Sequence, residues 1–185
     1  MIAIRPLPRF DAERFQAIAS GYTTTDIYRV KWVDAPEQTS FTLTREALSE
    51  PRVFRFPLGD DEAAHYRALV PGEYCLAAYD GDEVVGVAIA EGQGWNNVLW
   101  VWDFHVAGAY RGQGIGRRLM DDLAAKATVA GLRAIVCETQ NTNTPAIGFY
   151  RAVGFVLEGI DISYYTNEDM SPDRNVAIFM KRRLV

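Results

Sequence analysis

The sequence predicts a mixed α/β fold of the α+β kind, in a single domain spanning residues 1–185. Strand-like runs outnumber helical ones in the amino-terminal half. A single strand–glycine turn–helix–strand crossover then follows between Val98 and Glu138. With 49% hydrophobic and 23% charged residues, the chain has the make-up of an ordinary globular domain with a sizeable core.

The elements follow in order. Ile2–Leu7 alternates weakly and reads as a first strand. Asp11–Ile18 reads as a helix with Asp11 at its N-cap and Phe15 and Ile18 on one face. Tyr22–Pro57 is mixed: Asp26–Val33 suits a strand, and Thr44–Leu48 a short helical turn ended by Pro51. Asp60–Leu69 is helical and stops before Pro71-Gly72. Tyr74–Tyr79 and Glu83–Ala90 flank Asp80-Gly81-Asp82, a hairpin signal. After the Gly92–Asn97 loop, Val98–Val106 carries apolar residues on both faces and suits a central strand. Ile115, Leu119, Leu123 and Ala127 form a stripe at spacing four, which Gly131 ends. A strand over Arg133–Glu138, a helix over Pro145–Ala152 and strands near Phe155–Tyr165 and Asn175–Arg182 complete the reading.

The densest signal is the turn Arg111-Gly112-Gln113-Gly114-Ile115-Gly116-Arg117. Three glycines in five residues let backbone N–H groups approach a ligand without hindrance from Cβ atoms. The helix that follows adds unpaired donors and the positive end of its dipole, so the segment is an anion cradle suited to phosphate. A dinucleotide fingerprint would need glycine at the position of Arg117, and no P-loop pattern occurs. Arg111-x-x-Gly114-x-Gly116 instead resembles the [QR]-x-x-G-x-[GA] signature of the GCN5-related N-acetyltransferases. Asn143-x-x-Ala146-x-x-Phe149-Tyr150-x-x-x-Gly154-Phe155 is similar to that family's second signature at every named position.

The resemblance implies a six- or seven-stranded, mostly antiparallel mixed sheet with about four helices. In that fold the strand ending at Val106 and the one ending at Glu138 splay apart. It implies acetyl-CoA as co-substrate, with the pyrophosphate on the Arg111–Arg117 loop. The pantetheine arm would lie along the main chain of Phe104, His105 and Val106, with Asn143, Ala146, Phe149 and Tyr150 also at the cofactor. Tyr150 takes the family's general-acid position toward the sulfur; otherwise a tyrosine there packs its ring against the sheet. Asn143 also serves as an N-cap. The segments Glu138–Asn143, Ile162–Asn167 and Val176–Phe179 are similar in character to streptothricin acetyltransferases.

A carboxylate inside an apolar strand needs a partner or a purpose. Asp103 is therefore the candidate base for a substrate ammonium, or else a hydrogen-bonded core Asp. Glu138 is the second candidate, as an ammonium anchor. His105 shares a face with Asp103 and is placed to pair with it, although a strand histidine is often simply a satisfied structural group. Trp102 stands where the streptothricin enzymes carry a second acid, which favours a less cationic or partly apolar acceptor. Trp95, Trp100, Trp102 and Tyr165 are candidates to line that pocket.

The remaining composition narrows partners. A formal net charge of −5 disfavours general nucleic-acid binding and suits a cationic small-molecule amine. Lys181–Arg183 reads as a solvated strand end. No run reaches the ~20 apolar residues of a membrane span, and the start lacks a signal-peptide pattern, so a cytoplasmic monomer or homodimer is expected. Cys75 and Cys137 read as buried reduced thiols. His65 and His105 stand far apart, and no Cys/His cluster suggests a metal. Acetylation of protein amines, or non-catalytic acyl-CoA binding, are the alternative functions, and a partial Rossmann module is disfavoured by Arg117.

Overall fold

The computed structural model describes residues 1–184. Its elements are β1 (Ile2–Pro6), α1 (Ala12–Ile18), β2 (Tyr22–Ala35), β3 (Gln38–Phe54), α2 (Asp60–Leu69), β4 (Leu76–Asp80), β5 (Glu83–Gln93) and β6 (Val98–Val106). After these come α3 (Ile115–Val129), β7 (Ala134–Gln140), α4 (Thr144–Ala152), β8 (Val156–Asp161) and β9 (Ala177–Arg183). Seven strands form one sheet in the order β1-β4-β5-β6-β7-β9-β8, and β2 and β3 form a separate two-stranded sheet. β1 with β4, β4 with β5, β5 with β6 and β8 with β9 pair antiparallel, whereas β6 and β7 run parallel, the crossover read from the sequence. β6 is the middle strand, as its two apolar faces predict.

The chain divides into two compact units, one made of residues 1–21, 55–137 and the end from Arg182, the other of residues 22–54 and 138–181. In the first unit, alternation along β5 separates two packed faces. Val87 and Ile89 join Leu7, Phe15, Ile18, Tyr66, Val70 and Cys75 in one buried cluster that holds α1 and α2. Gly86 points the other way: a Cβ there would come within 3.2 Å of Leu119 Cδ1 and of the His105 carbonyl, so glycine lets α3 lie close to the sheet. The α3 stripe Ile115, Leu119, Leu123 and Ala127 is buried, with Met120 beside it. Removing a side chain such as Leu119 costs about 2–5 kcal/mol by transfer and cavity terms. That packing fixes where the helix begins.

The second unit is built around the β2–β3 hairpin. Its register runs from Ala35 opposite Gln38 to Tyr22 opposite Phe54, with an irregularity between Thr24 and Asp26 that leaves Leu48–Pro51 without ladder partners. Pro51 is tolerated there because no ladder N–H is required of it. The expected helical turn at Thr44–Leu48 is thus a strand: Thr44 pairs with Arg29 and Ala47 with Asp26, and that pairing overrides local preference. The hairpin is anchored by buried hydroxyls. Tyr22 Oη and Thr142 Oγ1 lie 2.8 Å apart, and Thr24 Oγ1 and Thr144 Oγ1 2.7 Å apart. Burial pushes the Tyr22 phenol up to about 12, against the opposing hydrogen bond with Thr142. Asn141 completes the anchor. Its amide donates to the Tyr28 carbonyl (2.8 Å) and its Oδ1 accepts from Val176 N–H (2.8 Å).

The strand expected over Phe155–Tyr165 stops at Asp161. Beyond it the chain turns, because Asp161 accepts from Ser163 N–H (2.9 Å) and Asp169 gathers the backbone that follows. Cys75 and Cys137 are buried and form no disulfide among the described residues. Among the described residues no helix is long and apolar enough to cross a membrane.

Candidate active site

The glycine loop takes the expected form. Gly112 and Gly114 sit at φ +76° and +78°, and a Cβ on either would meet nothing within 4 Å. Glycine is required there by backbone conformation, which leaves open space on the side a ligand would occupy. Gly114 is the N-cap of α3, with no side-chain cap hydrogen bond. The first helical bond runs from Arg118 N–H to the Gly114 carbonyl (3.1 Å). Among the described residues, the N–H groups of Gly112–Gly116 enter no backbone hydrogen bond, so several donors converge at a positive helix end. Arg111 braces the loop from below, donating from Nε to the Val106 carbonyl (2.9 Å) and from its guanidinium to the Gly21 carbonyl (3.4 Å). Gln113 is tied to the Ala109 carbonyl (3.0 Å).

The parallel ladder between β6 and β7 ends with Val101 opposite Cys137, while β6 runs on through Phe104 to Val106. On its other side β6 carries a bulge. Ala90 faces Val101 and Ile89 faces Asp103, so Trp102 is the inserted residue. A bulge re-aims side chains. Here both Trp102 and Asp103 reach α2: the Trp102 ring lies edge-on to His65 (4.7 Å between centroids), and an Asp103 oxygen accepts from the Tyr66 hydroxyl. The other Asp103 oxygen lies 2.6 Å from His105 Nε2. Tyr66 also lies 3.0 Å from Glu62, one helical turn before it. Glu62, Tyr66, Asp103 and His105 therefore form one chain of polar contacts. The side chains of Asp103 and His105 are 17% and 19% exposed. Burial, then the nearby Asp103 and Glu62 carboxylates, push the Tyr66 phenol far above its ordinary range, so it stays a proton donor.

Of the aromatic candidates in this unit, Trp100 and Trp102 pack together at 5.9 Å, and Trp102 donates to Glu91 (3.3 Å). Trp95 is 85% exposed and bonds only locally to Gln93. It is not brought to the others.

In the second unit, Glu138 accepts from the Tyr165 hydroxyl. The segment behind Tyr165 is held by buried Asp169, which accepts from Tyr165 N–H (2.8 Å), Thr166 N–H (2.8 Å) and Thr166 Oγ1 (2.7 Å). Burial acts to raise the Asp169 carboxyl, but these bonds outweigh it and hold it below the usual range. Burial, followed by the Glu138 charge, pushes the Tyr165 phenol well up. Asn143 caps α4, its Oδ1 accepting from Ala146 N–H (3.2 Å). Tyr150 on α4 is buried, its ring against Phe149 (5.4 Å) and Phe155 (5.2 Å). The packing role for Tyr150 and the capping role for Asn143 are both realised.

Tyr66 and Glu62 escaped the sequence reading. Their signal was present: Ala63, Tyr66 and Val70 are the buried face of α2, and a phenol in such a stripe requires a polar partner. Asn141 was likewise missed. Among the described residues no group of three or more His, Cys, Asp and Glu side chains is placed to hold a metal ion.

Residues 40–155 match the acetyltransferase (GNAT) family. A streptothricin acetyltransferase from Streptomyces lavendulae is 32% identical over 161 residues, covering 84% of this chain and 82% of that protein. The crystal structure of a nourseothricin acetyltransferase is similar over 100% of this chain and 99% of its own, at a TM-score of 0.80 and 30% identity. A Bacillus anthracis chain described as a streptothricin acetyltransferase, solved with acetyl coenzyme A, shares the fold at a TM-score of 0.73 and 20% identity, covering 99% of each chain. The chain is an acyltransferase and belongs to the acetyltransferase (GNAT) family.

Proposed function

We propose that the chain transfers the acetyl group of acetyl-CoA to a primary amine of a small cationic molecule, of the kind the streptothricin acetyltransferases modify, by direct attack in a ternary complex. The observation that carries the cofactor part is the loop Gly112–Gly116, whose unengaged N–H groups and open glycine faces suit a pyrophosphate. The relatives named above support the acceptor class.

The chemistry has four requirements: a neutral amine, a polarised thioester carbonyl, a stabilised oxyanion and a protonated leaving thiolate. The proposal assigns the first to the Asp103 cluster and the second and third to the main chain of Phe104–Val106. The fourth falls to the Tyr150 hydroxyl, an O–H donor able to hand a proton to the departing thiolate. Glu138 is assigned the anchoring of an ammonium group. Asn143 and Phe149 are assigned contacts with the cofactor arm, and Trp102 and Tyr165 are each assigned contacts with the acceptor.

Two measurements test the reading. Calorimetric titration with CoA is expected to show binding by the unmodified protein and weak binding by Gly114→Asp, which adds a strained, negatively charged side chain at φ +78°. Incubation with acetyl-CoA and a panel of amines, with products identified by mass spectrometry, is expected to acetylate a streptothricin-type amine or polyamine. Acetylation of peptide amines alone would transfer the assignment to protein substrates. Equal CoA binding by both proteins would remove the loop from the cofactor site.

A further inference from the structure

The hydrogen bonds around Asp103 bear on which atom takes the proton from the amine. Both Asp103 oxygens are engaged from inside the protein, one by the Tyr66 hydroxyl and the other by His105 Nε2 at 2.6 Å. The second ring nitrogen of His105, Nδ1, makes no hydrogen bond among the described residues. It is also absent from the buried, unsatisfied polar atoms, which are His65 Nε2 and Asn96 Oδ1. An imidazole whose one nitrogen donates to a fixed carboxylate presents the other as an unprotonated acceptor. We propose that His105 Nδ1 is the proton acceptor for the attacking amine, with Asp103 as the residue that fixes its tautomer and Tyr66 as the residue that fixes Asp103. The proposal rests on the acetyl-transfer reading and names the base within it.

The surroundings of His105 suit this role. From α1, the Phe15 ring meets the imidazole edge-on at 5.7 Å and shields one side from water. β5 presents Val87, its register partner. α2 contributes Tyr66 on the Asp103 carboxylate and Glu62 on Tyr66. The nearest charges of α1, Glu13 and Arg14, are exposed at its first turn, and Arg14 is engaged with Asp11. The one negative charge in direct contact with the ring is that of Asp103, which stabilises the imidazolium once formed.

The step balances as follows. The ammonium form of the acceptor gives one proton to His105 Nδ1, and the freed nitrogen lone pair attacks the thioester carbonyl carbon. The C–N bond forms, and the C–S bond then breaks with its electron pair on sulfur. The thiolate takes its proton from the general acid assigned above, Tyr150, which is reprotonated as the second amine proton leaves, and the imidazolium returns its proton to solvent. His105 is on this account a catalytic residue. Asp103 and Tyr66 are positioning residues.

Two readouts test it. Nitrogen-15 NMR of the histidine rings in the unmodified protein is expected to show His105 as the Nε2–H tautomer near neutral pH, and to show a mixed tautomer in Asp103→Asn. In pH profiles of turnover, the unmodified protein should show an acidic limb. His105→Gln should lose that limb and about 10²-fold or more in turnover with CoA binding retained. Tyr66→Phe should shift the limb while leaving the acceptor KM nearly unchanged. A protonated Nδ1 in the unmodified protein would overturn the proposal, as would an unchanged limb in His105→Gln. If the unmodified protein binds CoA but acetylates no amine, the parent reading fails first, and the tautomer measurement still reports separately on the Asp103–His105 pair.

Discussion

Asp103 and Glu138 are both strand carboxylates that accept a hydrogen bond from a tyrosine, yet their surroundings differ in kind. Asp103 has an imidazole on its second oxygen, and the phenol on its first leads to Glu62 on the exposed face of α2. Glu138 faces phenols: Tyr165 in contact, and Tyr164, whose own proton is held more tightly by burial and by the Glu138 and Asp161 charges. A carboxylate bonded to an imidazole orients a group that can accept a proton, whereas one bonded to a phenol faces only a proton donor. The contrast is the ground for proposing proton handling at Asp103–His105 and anchoring at Glu138, although sequence alone presents two similar acids.

That contrast yields a graded set of expectations. Asp103→Asn should lower turnover by about 10²–10³-fold, the range for disabling a general base, with little change in acceptor KM; steady-state kinetics on a reactive amine decides it. Tyr150→Phe keeps the buried ring and removes the hydroxyl, so turnover should fall by roughly 10²-fold with CoA affinity intact. Unchanged turnover when chemistry limits the rate would reduce Tyr150 to its packing against Phe149 and Phe155. Glu138→Gln should act the other way, raising the acceptor KM by about tenfold, equivalent to ~1.4 kcal/mol, with turnover nearly preserved. A larger fall in turnover than in binding there would erase the distinction from Asp103.

The smallest effect concerns stability. Asp169 holds the Tyr165–Thr166 backbone, and its carboxyl is depressed in the folded state. A depressed carboxyl contributes stability that is fully present above the ordinary carboxylate range and is lost as pH falls through its folded value. Asp169→Asn should therefore lower Tm at neutral pH, and the gap to the unmodified protein should close as pH drops below about 4. A gap independent of pH would assign the effect to lost shape rather than charge.

How much of this was readable in the sequence depended on the range of the interactions. The loop around Gly112 and Gly114 was legible because its chemistry is local, with glycines demanded by positive φ and a helix starting directly after. The α3 stripe, the Asp11 and Asn143 caps and the central position of β6 were legible for the same reason. The hairpin was not. Thr44–Leu48 has no local pattern that reveals Arg29 and Asp26 as its cross-strand neighbours. The end of β8 at Asp161 was hidden likewise, since Asp169 acts on the backbone from a later turn. In the candidate site, Asp103 was found as an acid in an apolar strand, and the bulge at Trp102 then set where it points. Tyr66 stayed hidden because its partner lies 37 positions away.

The central claim is that this chain moves an acetyl group from CoA to an amine. Its most direct test follows free thiol as the protein is mixed with acetyl-CoA, with and without a streptothricin-type amine. Thiol release is expected to require the amine, to rise with pH, and to be lost in Gly114→Asp. Release no faster with amine than without it, across a panel of small amines and peptides, would contradict it.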